Sequence, residues 1–167
     1  MSKRRKKKIV KLSIVFMLGL FIGLVFLISG KGLDYKNFVK VYNLNINYID
    51  DTAEIVLKSE CYELVFYTSR DQGENIKIAL QNLKTERPST HDLLLSIIEK
   101  FNLNLKELRI TKLENGIYYG NLVFENFFGY IFVDTRPSDG VAIALRANKP
   151  IFVNKDLVEN LCLGYIL

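Results

Sequence analysis

An apolar segment near the N-terminus constrains this chain more than any other feature. Residues 12–28 read LSIVFMLGLFIGLVFLI and contain no charged side chain. With Ile9 and Val10 included, and with Lys11 able to extend its amino group to the membrane surface, the span reaches about 20 residues, the length that a helix needs to cross a bilayer. We therefore predict a transmembrane signal anchor over residues 12–29, which leaves one compact domain in residues 38–167.

The residues before this segment are strongly basic. Residues 1–11 contain seven Lys and Arg side chains and no acid. Basic residues that flank a membrane helix stay in the cytoplasm, so residues 1–11 are predicted to be cytoplasmic and the domain extracytoplasmic. A cleaved signal peptide is the alternative. It is less favoured because the apolar run is long and residues 27–31 (LISGK) lack a small-x-small cleavage site.

The charge and composition of the remaining residues narrow the classes of function. All 18 acidic residues lie after residue 11 with 16 of the 23 basic ones, a formal net charge of −2. A nucleic-acid site needs clustered Lys and Arg, so here it would be a local patch. His91 is the single histidine, which excludes sites built on several imidazoles. Cys61 and Cys162 match no zinc spacing and are interpreted as two packed thiols; a disulfide is expected only in an exported domain.

The rest of the sequence is similar to itself at a fixed offset. Residues 76–80 (IKIAL) match residues 141–145 (VAIAL) at an offset of 65, which also aligns residues 63–67 with 128–132 and 55–57 with 120–122. Similarity at a fixed offset indicates a duplicated unit. Each half reads as three strands followed by two helices, so we predict an α+β domain made of two β3α2 units.

The elements of these units follow from the spacing of apolar residues. The predicted strands are residues 41–49, 53–59, 63–68, 108–114, 117–125 and 130–133, with an Asn115-Gly116 hairpin turn between the fourth and the fifth. Apolar residues three and four apart predict helices around residues 76–83 and 93–101 in the first half. In the second half, helices are predicted at residues 141–145 and around residues 156–158.

Two segments carry Arg-Pro-Ser just ahead of a predicted helix, namely RPSTHDLL at residues 87–94 and VDTRPSDGVAIALR at residues 133–146. A helix N-terminus attracts anions through its unpaired N–H groups, and a nearby arginine adds a forked donor for phosphate or carboxylate. The residues alone favour a structural interpretation over a functional site. Thr90 and Ser138 would cap the helices, Asp92 and Asp139 would complement the helix dipoles, and Arg136 would pair with an acid inside the fold.

These segments resemble the signatures of a known family. Residues 134–146 are similar to the D-x-R-P-S-D-A-x-x-x-A-L-R signature of the bifunctional nuclease family, and residues 87–94 to its R-P-x-T-H-D-L-L motif. Residues 108–113 (LRITKL) and 116–119 (GIYY) resemble its V-x-I-x-x-L…G-x-F-Y-A stretch. The resemblance implies a small α+β protein that self-associates and acts on both DNA and RNA. The chain departs from the family at Gly140, which stands where the signature has alanine, and in its predicted anchor.

The resemblance also implies a set of site residues. They are His91, Asp92, Asp134, Arg136, Ser138 and Asp139, preceded by Arg87, with Glu74 near a further acidic position. Under this hypothesis Asp92, Asp134 and Asp139 hold Mg²⁺ or Mn²⁺ or act as the base. Arg136, with Arg87 and Ser138, binds the phosphate, and His91 acts as acid or base or as an orienting group. The alternative is a non-catalytic module of the same fold, which binds or oligomerises at the membrane.

Overall fold

The computed structural model describes Met17, Gly19 and residues 32–83 and 85–162. Apart from Met17 and Gly19, the predicted basic tail and membrane anchor lie outside these residues. Within the described part of the chain, no helix combines the length and the apolar character that crossing a bilayer requires.

Residues 32–162 form an α+β domain, as predicted. Its strands are β1 (Phe38–Lys40), β2 (Asn43–Ile49), β3 (Thr52–Lys58), β4 (Tyr62–Ser69), β5 (Asn104–Glu114), β6 (Ile117–Asn126), β7 (Gly129–Thr135), β8 (Ile151–Asn154) and β9 (Glu159–Asn160). Its helices within that range are α1 (Arg70–Leu80), α2 (Thr90–Lys100), α3 (Pro137–Arg146) and the 3-10 helix η1 (Lys155–Leu157).

The strands form two sheets. One has five strands in the order β1-β8-β5-β6-β7, and the other has four in the order β2-β3-β4-β9. Neighbouring strands are antiparallel except for β5 and β8, which are parallel. The predicted hairpin turn is confirmed, because Asn115 and Gly116 adopt φ angles of 51° and 77° between β5 and β6. Strands β7 and β2 are edge strands of their sheets.

Helices α1 and α3 each pack on a sheet at a glycine. Gly73 in α1 lies against Ala53 of β3, so close that a Cβ at this position would overlap the Ala53 Cβ. A Cβ at Gly140 in α3 would lie 2.5 Å from Leu108 Cδ1 on β5 and 3.0 Å from Thr135 Cγ2 on β7. One apolar core, with residues from both sheets and all three helices, joins these contacts.

The predicted duplication is present in the first four elements of each half. A three-stranded antiparallel meander followed by a helix occurs as β2-β3-β4-α1 and again as β5-β6-β7-α3. The prediction of a second helix in the second half is wrong. Residues 151–154 alternate between buried and half-buried side chains and form β8, which inserts between β1 and β5. Around residues 156–158, where that helix was predicted, the structure has only the three-residue 3-10 helix η1.

Cys61 and Cys162 form a disulfide, so their interpretation as packed thiols is wrong. Strand β9 pairs with the start of β4, with Asn160 opposite Tyr62, and Leu161 N donates to Cys61 O. This pairing brings the two cysteine Cα atoms to 5.1 Å, a distance that a disulfide bridges. The bond therefore ties the turn before β4 to the end of the described chain.

Candidate active site

The first turns of the three α-helices meet at one place, and they begin differently. Helix α1 is capped by the Ser69 hydroxyl and helix α2 by the Ser89 hydroxyl. Helix α3 has Arg136 at its N-cap and Pro137 as its first residue, with no side-chain hydrogen bond to the cap. The expected caps Thr90 and Ser138 are both wrong, because Ser89 caps α2 and the Ser138 hydroxyl contacts Gln72 instead.

An ion-pair chain crosses the start of α3. Arg136 Nε donates to Asp139 Oδ2 at 2.7 Å, and Asp139 Oδ1 lies 3.3 Å from His91 Nε2 in the first turn of α2. The side chain of Arg136 is 69% exposed, whereas those of Asp139 and His91 are 26% and 14% exposed. The structure thus brings three of the predicted site residues together, with the arginine facing solvent and the imidazole shielded.

Gln72 of α1 completes this cluster, and sequence reasoning did not identify it. With its side-chain amide oriented to satisfy both partners, Oε1 accepts from Arg136 Nη1 and Nη2 at 2.9 and 3.1 Å. Its Nε2 then donates to the Ser138 hydroxyl at 3.1 Å and to the Thr68 hydroxyl. Gln72 follows Ser69 by three residues, a pattern that predicts only a helix cap. Its role depends on the tertiary contact between α1 and α3.

Asp92 lies next to His91 but has a structural environment. Its Oδ2 accepts from the Ser89 amide at 2.8 Å and the Ser89 hydroxyl at 2.7 Å, which completes a capping box. Its Oδ1 accepts from Arg146 Nε at 3.1 Å. The hydrogen bond from the Ser89 hydroxyl, together with the Ser89 amide and the Arg146 charge, lowers the pKa of Asp92 below its ordinary value against the opposing effect of burial. Its predicted part in catalysis stays a prediction.

The other predicted residues lie apart from the cluster. Thr135 faces α3, so Asp134, the preceding residue of an extended strand, points to the opposite face of the sheet beside Asn121. Arg87 is exposed in the loop between α1 and α2. Glu74 faces β2, where burial and the Glu74 carboxylate raise the pKa of Tyr48 to about 12.

A metal site does not assemble from these side chains as they stand. Among the described residues, no three His, Cys, Asp or Glu side chains are grouped closely enough to hold a metal ion. The predicted trio Asp92, Asp134 and Asp139 is divided between a helix cap, the far face of the sheet and the ion-pair chain. At the start of α3, Asp139 and the adjacent His91 of α2 are two side chains that could bind a metal ion.

The chain is similar to proteins of several organisms. An uncharacterized protein of Mycobacterium tuberculosis is 44% identical over 86 residues, 50% of this chain and 51% of that protein. Bifunctional nuclease 1 of Oryza sativa subsp. japonica is 31% identical over 85 residues, and Bifunctional nuclease 1 of Arabidopsis thaliana is 30% identical over 82 residues. This chain spans 26% and 25% of the length of these two plant proteins.

A family match covers most of the folded domain. The bifunctional nuclease domain matches residues 55–163, which extend from β3 past the disulfide and include all three helix starts of the site. This range is well over half of the chain. The chain therefore belongs to the bifunctional nuclease domain family.

Proposed function

We propose that this protein is a membrane-anchored nuclease that hydrolyses phosphodiester bonds of DNA and RNA at the start of helix α3. One observation carries the proposal, namely the helix start without a side-chain cap, flanked by an exposed arginine and by a histidine–aspartate pair. Membership of the bifunctional nuclease domain family supports it, as do the names of the rice and Arabidopsis relatives.

The phosphate would bind at the N-terminus of α3. No side chain caps this end, so the amides of Ser138 and Asp139 have no side-chain acceptor and could donate to an anion. Arg136 lies at the same end with most of its side chain exposed, and its Nε is fixed by Asp139. Nη1 and Nη2 each donate one hydrogen to Gln72, and each keeps a second N–H that a phosphate oxygen could accept.

The attacking water would be activated by His91. If Nε2–H donates to Asp139, then Nδ1 is the proton acceptor of the neutral ring, and Nδ1 has no protein partner among the described residues. The water proton would move to Nδ1 as the water oxygen attacks phosphorus. The P–O bond to one sugar oxygen would break, and this leaving oxygen would take its proton from solvent water. Asp139 would then stabilise the imidazolium, as carboxylates do in other histidine–carboxylate pairs.

Whether Mg²⁺ or Mn²⁺ assists the reaction is measured by the cleavage assay described below. The start of α3 offers two side chains that could bind a metal ion, His91 and Asp139. The described residues place no third His, Cys, Asp or Glu side chain close enough to join them. Dependence on either cation would show that phosphate oxygens or water complete its coordination.

The predicted anchor and the disulfide would agree on one location for the domain. Residues 12–29 would cross the membrane with the basic residues 1–11 in the cytoplasm, which leaves the domain outside. Disulfides persist in oxidising compartments, so the Cys61–Cys162 bond favours the same side. An extracytoplasmic nuclease would meet nucleic acid from outside its own cell.

Self-association belongs to the same proposal and would use strand β7. This edge strand exposes Ile131, Phe132 and Val133 in succession, and the preceding Phe127 and Phe128 are each 72% exposed. An open apolar edge pairs readily with a second strand. Two copies joined along β7 would cover it.

The experiment is a cleavage assay with the full-length chain purified in non-ionic detergent. Labelled single- and double-stranded DNA and RNA are incubated with Mg²⁺, Mn²⁺ or EDTA, and wild type is compared with Arg136→Ala and Asp139→Asn. Each variant is expected to lose about 100-fold or more in rate, because one lacks the phosphate donor and the other the partner of His91. Asp156→Asn, which changes an exposed acid in the first turn of η1, is the control and should cleave normally.

Two results would overturn the proposal. Cleavage that survives both substitutions would place the activity elsewhere or in a contaminant. An inactive wild type under every condition, with intact folding, would favour the non-catalytic module that binds or oligomerises at the membrane.

A further inference from the structure

A cavity of about 290 Å³ lies on the far side of the α2 N-terminus from the His91–Asp139 pair. Its apolar wall consists of Ile78, Leu83, Pro88 and Leu95, from α1, the α1–α2 loop and α2. Its polar lining includes Asp92 and Arg146. The volume is at the small end of ligand sites, which suits one planar ring better than a complete nucleotide.

Arg146 gives this cavity a hydrogen-bond donor. Its side chain is only 9% exposed, and it is held by Asp92 through Nε and by the carbonyls of Asn75 and Ala142 through Nη1. Its Nη2 group has no acceptor in the part of the chain that the structure describes, and it is not buried in the protein. Because Arg146 lines the cavity, this group can donate to a ligand that carries an acceptor on its edge.

The distance between the cavity and the proposed reaction centre suits a single substrate that occupies both. Asp139 and Arg146 are two turns apart on α3, a rise of about 10 Å, which is comparable to the reach from a backbone phosphate to the base of an adjoining nucleotide. His91 and Asp92 are consecutive residues that face the two sites. Arg87, exposed beside the cavity-lining Pro88, would be close to the phosphate of a nucleotide whose base entered the cavity.

We infer that this cavity binds one unpaired nucleobase of a single-stranded nucleic acid whose backbone crosses the start of α3. The inference rests on the proposed function and adds a substrate class to it. Aliphatic walls accept the faces of any base, and Arg146 Nη2 donates to an acceptor on the base edge. A base can enter only when it is out of the helical stack, so unpaired strands are favoured over duplexes. Because the contact is to the base and not to the sugar, DNA and RNA are both accepted.

The test is a binding measurement in EDTA, so that it does not depend on cleavage. Fluorescence anisotropy compares the full-length chain in detergent on two labelled oligomers of equal length, a mixed-sequence single strand and a fully abasic strand with the same phosphates. Wild type is expected to bind the strand with bases about tenfold more tightly. Ile78→Trp fills the cavity and should remove this preference. Ile117→Trp, the same substitution at an exposed position beside the β5–β6 turn, should keep it.

The outcomes separate this inference from the proposed function. Equal binding of the two oligomers by wild type, or an unchanged preference in folded Ile78→Trp, would overturn the base site whether or not the protein cleaves. A base preference that Ile78→Trp removes would support the base site even if wild type showed no cleavage. Folding of each variant is checked by its circular dichroism spectrum.

Discussion

Two aspartates at the same helix position have different environments because their helix caps differ. Asp92 and Asp139 are each the third residue of a helix, α2 and α3. Asp92 follows a serine cap, and its carboxylate returns to that serine in a capping box. The cap of α3 is Arg136, which has no hydroxyl to share, and the carboxylate of Asp139 instead joins Arg136 to His91. The identity of the cap residue thus separates a structural aspartate from a candidate catalytic one.

Asp92 is predicted to stabilise the fold in a pH-dependent way. Its pKa is lowered in the folded state, so its contribution is complete above the ordinary Asp pKa of about 3.9 and is lost as the pH falls through the lower folded pKa. Asp92→Asn should therefore reduce the free energy of unfolding by about 1 kcal/mol at neutral pH, a modest value because the side chain is partly exposed. Urea unfolding between about pH 7 and pH 2 should show the deficit shrinking; a constant deficit would contradict the assignment.

The two helix glycines should differ in how well they tolerate alanine. At Gly73 the added methyl overlaps the Cβ of buried Ala53, which is fixed to the backbone. At Gly140 it meets the terminal Cδ1 of Leu108, which can rotate, and alanine also favours the helix. We expect Gly73→Ala to cost about 3 kcal/mol and Gly140→Ala about 1 kcal/mol. Equal losses in urea unfolding would show that Leu108 cannot move.

Among the elements, strands were easier to predict than helix starts. The alternation in residues 43–49 and the Asn115-Gly116 turn are local signals, and both were confirmed. Helix α1 begins at Arg70, six residues before its apolar spacing starts at Ile76. Its first turn is polar and faces the site, so the apolar spacing does not reveal where the helix begins. The short strand β1 was not predicted, because the strand predicted over residues 41–49 begins after it. Strand β8 was missed because its partner β1 lies more than 100 residues away in sequence.

Only the site residues that lie in the family motifs could be predicted from the sequence. His91, Arg136 and Asp139 came from the family resemblance, and the structure places them in contact. Asp134 lies in the same motif but points to the other face of the sheet, since neighbours on a strand point in opposite directions. Gln72 could not be found from sequence, because its contacts with Arg136 and Ser138 join residues more than 60 positions apart.

The edge strand β7 gives a test of self-association. Phe132→Lys places a charge on the exposed apolar edge and should convert the proposed assembly to a monomer, measured by light scattering after size exclusion in detergent. Ile49→Lys is the matched control, because Ile49 is also 51% exposed and also lies on an edge strand, β2 of the other sheet. An unchanged mass for Phe132→Lys, or an equal effect of both, would place the interface elsewhere.

For the whole molecule, contacts far apart in sequence close the domain at both ends. Near the N-terminal end, Arg109 lies between the rings of Tyr35 and Phe38 and donates to Asp34 O and to Glu107. Near the C-terminal end, the disulfide joins Cys162 to Cys61. The segment that leads from the predicted anchor is therefore fixed to the five-stranded sheet, and the last described strand is fixed to the other sheet.

The disulfide should make a large contribution to stability. It links residues 101 positions apart, and in the chain-entropy account a loop of this length contributes about 4–5 kcal/mol by restricting the unfolded chain. The Cys61→Ser and Cys162→Ser double variant should lose most of this free energy in urea unfolding. Addition of a reductant should destabilise wild type by the same amount and leave the variant unchanged. A wild type that a reductant does not affect would show that the bond is absent.

The most direct test of the central claim compares the cleavage rates of Asp139→Asn and Asp156→Asn on a labelled single strand, at a temperature at which both variants are folded. We predict a loss of about 100-fold or more for Asp139→Asn and a nearly unchanged rate for Asp156→Asn, because only Asp139 supports His91 and Arg136. A full rate in Asp139→Asn, or equal losses in the two variants, would contradict the assignment of catalysis to the start of α3.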